Sequence, residues 1–222
     1  HRGSSAASDV YKRQHQVISG DIGDPKRLVD DLGAAGIADV DRVLHIRSFL
    51  DHDRPLVIPQ DSIALQRRRR IEYSSVHVDD RGNRIDPATA VQSLVEHLGR
   101  WSEVAGRHGL VVLEVHCVDP AVARRYLDQS ESLHFDAYHA YSRQHLVDAD
   151  VFMLSAAETG LFAKEAYFRR YPKTLPFCRI TLSWFEKLPL AIRHLDPDDM
   201  EAIAQLGRKT HGWSEDSLDP VA

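Results

Sequence analysis

The sequence predicts an α/β fold around a largely parallel sheet, and three features of the 222-residue chain support this prediction. Residues 15–47 have the pattern strand, helix, strand with short connections, which is the βαβ unit of a parallel sheet. The run LVVLEVH at 110–116 is almost continuously apolar, as expected for a strand buried on both faces. Two later runs, AYFRRYP and FCRITLSWFE, predict an antiparallel hairpin over 166–186.

Helix-start signals separate these strands. Asp24-Pro25 and Asp86-Pro87 each place an Asp N-cap before a Pro at the first helical position. The helix after Asp86 has an apolar stripe at helical spacing, formed by Val91, Leu94, Val95, Leu98 and Trp101. A further helix is predicted over 142–160, and residues 54–85 are predicted to be a long irregular connection over the carboxyl edge of the sheet.

The stretch DRVLHIRSFLDHDRP at 41–55 changes from a buried strand to a burst of polar groups. Ligands in open α/β sheets bind just beyond the carboxyl ends of the strands. A cluster of polar residues at the end of such a strand is typical of a binding site. It fits a solvated loop equally well when the stretch is considered alone.

Composition excludes several classes of function. The net charge of −5 favours neither nucleic acid nor an anionic membrane as a partner, and no apolar run approaches the length of a membrane-spanning helix. Cys117 and Cys178 are too few for a disulfide scaffold and predict free thiols in the cytoplasm. The basic run RRRR at 67–70 is predicted to be a solvated turn, with contact to a protein partner or a phosphate group as the alternative.

The chain divides into three parts. Residues 1–14, HRGSSAASDVYKRQ, have no apolar period and are interpreted as a non-native tail, so that the natural chain is expected to begin further upstream. Residues 15–187 form a partial domain. Residues 188–222 contain a short strand, an Asp-Pro cap and a helix, which fit either the start of a further domain or a C-terminal helix packed on the first. No glycine-rich turn follows the first strand, although a dinucleotide or S-adenosylmethionine site normally needs one. The turn is either missing or lies upstream of residue 15, and the character of residues 1–14 favours the second alternative.

A resemblance to a known family adds to this reading. Five sequence segments occur in the following order along the chain: GDIGDPKRLVDDL, DRVLHIRSFLDHDRP, SLVEHLGRW, HGLVVLEVH and FDAYHAYSRQHLVDADVF. Together they resemble the S-adenosylmethionine-dependent C-methyltransferase domains in loading modules of bacterial polyketide synthases, of the apratoxin and gephyronic acid type. The resemblance covers residues 15–186. It implies an N-terminally truncated class I methyltransferase (Rossmann-like) sandwich with a C-terminal antiparallel hairpin, followed by a GNAT-like domain that starts within 188–222.

The resemblance also implies a cofactor site. S-adenosylmethionine would have Asp21 and Ile22 beside its adenine. Ile46, Arg47 and Ser48, at the end of the fourth strand of the family's sheet, would lie near its methionine part.

The implied reaction is methylation of a malonyl-type group on an acyl carrier protein, next to further polyketide synthase domains. Loss of the proton between two carbonyls creates an enolate, which a divalent metal such as Fe or Mn could stabilise. The resemblance gives His116 and Gln144 as the metal ligands and His139 as a third candidate. His116, His139 and His52 are the candidate catalytic residues. One departure is that Ser142-Arg143-Gln144-His145 stands where the family has Ser-Asp-Gln-Tyr.

Two alternatives remain open. One is a non-catalytic methyltransferase-like module that only binds a carrier protein. The other is a metal-free O- or N-methyltransferase of small molecules. Convergence of His116 and Gln144 on one point would separate these from the metal-assisted reading. The 222-residue chain by itself is predicted to be inactive and marginally stable, because half of the cofactor cleft is missing from it.

Overall fold

The computed structural model describes residues 17–37, 39–189 and 192. Its strands are β1 His45–Ser48, β2 His77–Val78, β3 Arg84–Ile85, β4 Leu110–Val115, β5 Leu161–Ala163, β6 Arg169–Tyr171 and β7 Ile180–Lys187. Its α-helices are α1 Pro25–Ala34, α2 Ser62–Arg68, α3 Pro87–Val104, α4 Pro120–Tyr126, α5 Asp136–Tyr141 and α6 Ala149–Glu158. Short 3-10 helices occupy Val40–Arg42, Glu131–Phe135 and Glu165–Tyr167.

The main sheet has the strand order β1-β4-β7-β5, and β6 also pairs with β7. β1 is parallel to β4, with Ile46 opposite Val111. β7 is antiparallel to β4 and to both β5 and β6, with Leu113 of β4 opposite Leu182. The predicted strand at 110–116 and the late hairpin are therefore confirmed. The sheet is mixed rather than largely parallel as predicted, since β1–β4 is the one parallel pair among the described strands of this sheet.

Helices α3 and α6 cover one face of this sheet and form the core with it. Four of the five residues of the predicted stripe of α3 are confirmed in the core, because Val91, Leu94, Leu98 and Trp101 are all at most 3% exposed. The fifth, Val95, is only half-buried. These side chains pack in one cluster with residues of β4, α6, β5 and β7, namely Leu110, Val112, Phe152, Ala156, Leu161 and Phe185. The apolar core thus lies on the helix-covered face of the sheet, and the polar residues of the candidate site follow the ends of its strands.

The predicted first strand is wrong within the described residues. Residues 17–24 contain no strand, and the side chain of Val17 is 93% exposed. The Asp21 carboxylate accepts the Gly23 N–H at 2.7 Å, so the chain turns here and enters α1 directly. Asp24 caps α1 as predicted, accepting the Arg27 N–H at 3.1 Å. The predicted helix is confirmed, but no βαβ unit is formed in this part.

The connection over 54–85 is more regular than predicted, because it contains α2 and the β2–β3 hairpin. The arginine run is a solvated turn only in part: Arg69 and Arg70 form an exposed turn, whereas Arg67 and Arg68 belong to the last turn of α2. Arg68 is buried, donates from Nε to Gln92 Oε1 at 2.6 Å and pairs with Glu158. Arg69 pairs with Asp86 at 2.9 Å. These contacts join α2 to α3 and α6.

The predicted helix over 142–160 begins only at Ala149. Residues 142–148 instead form an irregular segment that reaches the candidate site, and Asp148 accepts the Ser74 hydroxyl at 2.9 Å. The short helices α4 and α5 and the 3-10 turn between them had no predicted counterpart. The predictions for residues 1–14 and for a GNAT-like domain lie outside the described residues. No helix in the described ranges is long and apolar enough to cross a membrane.

Replacing Arg68 with methionine is expected to lower the free energy of unfolding by about 3 kcal/mol, because Glu158 and Gln92 lose their shared buried partner. Urea unfolding measures this loss. The exposed Arg70, replaced in the same way, is the control and should change the value by less than about 0.5 kcal/mol. Equal effects of the two substitutions would contradict the structural role of Arg68.

Candidate active site

A cavity of about 510 Å³ lies beyond the carboxyl end of β4, and we call it the β4 cavity. Its wall is mostly apolar and comes from the segments after β4, from α5 and from the irregular segment before α6. The polar side chains in the wall are Ser74, Ser75, Cys117, Asp136, His139 and Gln144. This is the position at which α/β sheets bind ligands.

His139 supplies a neutral nitrogen base to the cavity wall. Its Nδ1 lies 2.7 Å from the Phe135 carbonyl oxygen, which can only accept, so Nδ1 carries the proton and Nε2 keeps its lone pair. Burial lowers the pKa of His139; the Phe135 carbonyl opposes this effect, and the positive charge of Arg179 adds to it. The imidazole is therefore neutral at neutral pH and can accept a proton.

A buried carboxylate–histidine pair stands behind His139. Glu114 Oε1 lies 2.5 Å from Nδ1 of His52, and both side chains are buried. The Glu114 carboxylate also accepts the backbone N–H groups of Asp51 at 2.8 Å, His52 at 3.3 Å and Val115 at 2.8 Å. The His52 ring meets the ring of His139 edge-on, with centroids 5.7 Å apart. Glu114 thus fixes the orientation and tautomer of His52.

Asp51 anchors this pair to the core. Its Oδ1 lies 3.0 Å from His97 Nε2 and 3.0 Å from Arg47 Nη2, and its carbonyl accepts Arg54 Nη1 at 2.7 Å. Burial alone would raise the pKa of Asp51, but Arg47, His97 and Arg54 outweigh it and hold the pKa below its ordinary value. Arg47 also stacks on Trp101, with Cζ 4.4 Å from the ring centroid. The residues before His52 are consequently held rigidly.

Of the two predicted metal ligands, Gln144 lines the β4 cavity and His116 does not. His116 is fully buried, its Nε2 lies 2.7 Å from Thr181 Oγ1, and burial lowers its pKa to about 3. It does not line the β4 cavity. Gln144 does line that cavity, half-buried, and donates to Asp53 Oδ1 at 3.3 Å.

No cluster of ligating side chains in the described residues supports a bound divalent metal. Across the described ranges, no group of three or more His, Cys, Asp or Glu side chains is placed to hold a metal ion. The strand period explains the position of His116, since it shares the helix-covered face of β4 with Val112 and Glu114. The metal prediction is therefore left without structural support.

The predicted cofactor residues fall into separate places. In the turn before α1, the Asp21 carboxylate accepts the Gly23 N–H. The neighbouring Ile22 carbonyl accepts Trp101 Nε1–H at 2.9 Å. In β1, side chains alternate, so Ile46 (70% exposed) and Ser48 face solvent.

Arg47 lies on the opposite, buried face of β1 and contacts Asp51. Sequence reasoning missed Asp51, Glu114 and His97 as parts of the site. One signal was available: a carboxylate inside an otherwise apolar central strand, as Glu114 is, requires a buried partner.

The fold and the site define an α/β domain with a histidine-bearing ligand cavity at the carboxyl end of its sheet. The particular family follows from comparison with known families. The family model described as the AprA MT2-like domain matches residues 5–183. The chain belongs to this family, and the recognition of a methyltransferase domain is confirmed. A comparison with curated proteins finds no match.

Proposed function

We propose that this domain transfers a methyl group from S-adenosylmethionine to the central carbon of a malonyl-type group on an acyl carrier protein, in the cytoplasm and beside other polyketide synthase domains. The sheet is proposed to be the C-terminal half of a class I, Rossmann-like methyltransferase sheet. The order β1-β4-β7-β5, with β7 antiparallel to its neighbours, supports this assignment, because the doubly wound methyltransferase sheet ends with one antiparallel strand inserted near its edge.

The observation that carries the proposal is a neutral histidine on the wall of an acyl-sized, mostly apolar cavity, with a carboxylate–histidine pair behind it. The central carbon of a malonyl thioester must lose a proton before it can accept a methyl group. Nε2 of His139 takes that proton, and the carbon keeps the electron pair. His52, oriented by Glu114, lies beside the imidazolium that results. General-base catalysis of this kind contributes about 10²–10⁴-fold to the rate.

The cofactor would lie at the carboxyl end of β1. Phe49 and Leu50 are 41% and 45% exposed there, and Ile46 presents a further apolar side chain. Phe49 has a φ of 56°, a left-handed conformation that is uncommon outside glycine and turns the chain sharply after β1. Bound S-adenosylmethionine would supply the electrophilic methyl group. No step is assigned to a metal, since Gln144 lines the β4 cavity and His116 does not.

Replacing His139 with alanine is expected to slow proton exchange at the malonyl carbon by at least about 100-fold. The assay follows deuterium uptake into malonyl-carrier protein in deuterated water by mass spectrometry, with the full chain as catalyst. It needs no methyl transfer and therefore isolates the base, so the predicted inactivity of the 222-residue chain in methyl transfer does not affect it. Tyr138→Ala, on the same helix and 67% exposed, is the matched control and should leave exchange unchanged.

Two outcomes would contradict the proposal. Exchange by the His139→Ala variant at the rate of the unsubstituted chain would exclude His139 as the base. Exchange by the unsubstituted chain no faster than in buffer would favour a non-catalytic carrier-binding module. Circular dichroism spectra of both variants show whether the fold is kept.

A further inference from the structure

A second, much smaller cavity lies inside the domain, next to the His52–Glu114 pair. Its volume of about 10 Å³ corresponds to one water molecule. Leu94, Val147 and Phe152 form part of its apolar wall. Its polar wall consists of Asp51, His52, Arg54, Glu114, His116 and His145.

Four polar atoms of this wall have no hydrogen-bond partner. They are Asp51 Oδ2, Arg54 Nε, His116 Nδ1 and His145 Nδ1, and all are buried. Their side chains are otherwise engaged: Asp51 through Oδ1, His116 through Nε2, and Arg54 through both terminal nitrogens. Buried polar groups in folded proteins nearly always have a partner, either protein or ordered water. Four such atoms around one cavity therefore indicate a shared ligand.

The chemistry of the four atoms selects that ligand. Arg54 Nε–H can only donate a hydrogen bond, and the carboxylate oxygen of Asp51 can only accept one. Each histidine nitrogen can do either, according to its tautomer. The guanidinium of Arg54 disfavours a cation, and the carboxylates of Asp51 and Glu114 disfavour an anion. A neutral molecule with two donors and two acceptors satisfies the set.

We propose that this cavity binds a single structural water that bridges Asp51, Arg54, His116 and His145. The water connects the end of β4 to the segment that carries His52 and to the irregular segment before α6. The segment that carries His52 and the irregular segment before α6 already meet where the His145 N–H donates to the His52 carbonyl at 2.6 Å. The water thereby helps to hold His52 in position. The proposal rests on the packing alone and stands whether or not the domain has the function proposed above.

A high-resolution crystal structure of the full chain tests the site. We expect one spherical density peak within hydrogen-bond distance of at least three of the four atoms. In solution, water-selective NMR should show nuclear Overhauser effects from a long-lived water to ring protons of His116 and His145. A peak with anomalous scattering, which marks a metal, would overturn the proposal. So would a dry cavity in which the rings have turned to bond one another.

Matched substitutions make the solution test specific. Val147→Ile adds one methyl group to the cavity wall and should abolish the water signal at His116. Val151→Ile adds the same group to α6 at a position that does not line this cavity, and it should keep the signal. His145→Leu removes one of the four partners and provides a second variant, with the exposed His134→Leu as its control. Signals that persist in Val147→Ile would refute the site.

Discussion

Replacing Glu114 with glutamine is expected to lower the free energy of unfolding by about 3 kcal/mol. The Glu114 carboxylate is buried and accepts the Nδ1–H of His52 together with three backbone N–H groups. An amide has only one acceptor oxygen, so its NH₂ group must face donors that the carboxylate formerly satisfied. Each buried donor left unsatisfied costs about 1–3 kcal/mol.

Chemical unfolding in urea measures this effect, and the chain offers a control with the same substitution. Glu186 pairs with Lys164 at 3.5 Å, but the Glu186 side chain is 43% exposed. Glu186→Gln should therefore change stability by no more than about 1 kcal/mol. A Glu114→Gln variant as stable as Glu186→Gln would show that the carboxylate does not organise the segment around His52. Under the proposed function, proton exchange should fall in the Glu114 variant as well.

The elements that were predicted correctly have strong local signals. Helix α3 has both an Asp-Pro cap and a four-residue apolar stripe, and β4 is a continuous apolar run. Local propensity and burial point to the same structure there, so the prediction needed no tertiary information. The first predicted strand had only Val17 and Ile18 as its apolar residues. The hydrogen bond from the Gly23 N–H to the Asp21 carboxylate forms a turn, and this turn outweighs so weak a strand signal.

The candidate site could be predicted only in part, because its geometry depends on packing between distant segments. His52 and His139 were predicted as separate candidates, but their edge-on contact requires α5 to fold back over the end of β4. The sequence did not predict helix α5, because its large side chains Tyr138 and Tyr141 are exposed and it has no apolar stripe that faces the core. His116 was predicted to face the ligand. The alternation of β4 turns it inward, towards Thr181 of the antiparallel strand β7.

Stability is expected to fall steeply as the pH is lowered from neutral to about 4, because several buried histidines resist protonation. Burial lowers the pKa of His77 and of His116 to about 3, and that of His145 to about 4. In the unfolded chain a histidine has a pKa of about 6.5. Below that pH the unfolded state binds protons that the folded state cannot bind, so acid favours unfolding. The effect ends only where the folded-state pKa values are reached.

The slope follows from the number of such histidines. Each contributes about 1.4 kcal/mol per pH unit, so that His77 and His116 together contribute about 2.7 kcal/mol per pH unit. Two pH units then remove about 5 kcal/mol, which is comparable to the whole stability of many domains. The Asp51 carboxylate acts at lower pH: its pKa is already below its ordinary value, so its contribution is lost only in stronger acid.

Urea unfolding at a series of pH values between neutral and acid tests this prediction. His77 is fully buried beside Ser75 and His145, and His77→Leu should reduce the slope by about one proton, or about 1.4 kcal/mol per pH unit. The exposed His134→Leu is the control and should leave the slope unchanged. A free energy of unfolding that stays constant across this range would mean that the buried histidines take up protons in the folded state. The polar core around Glu114 and Asp51 would then have to rearrange in acid without unfolding.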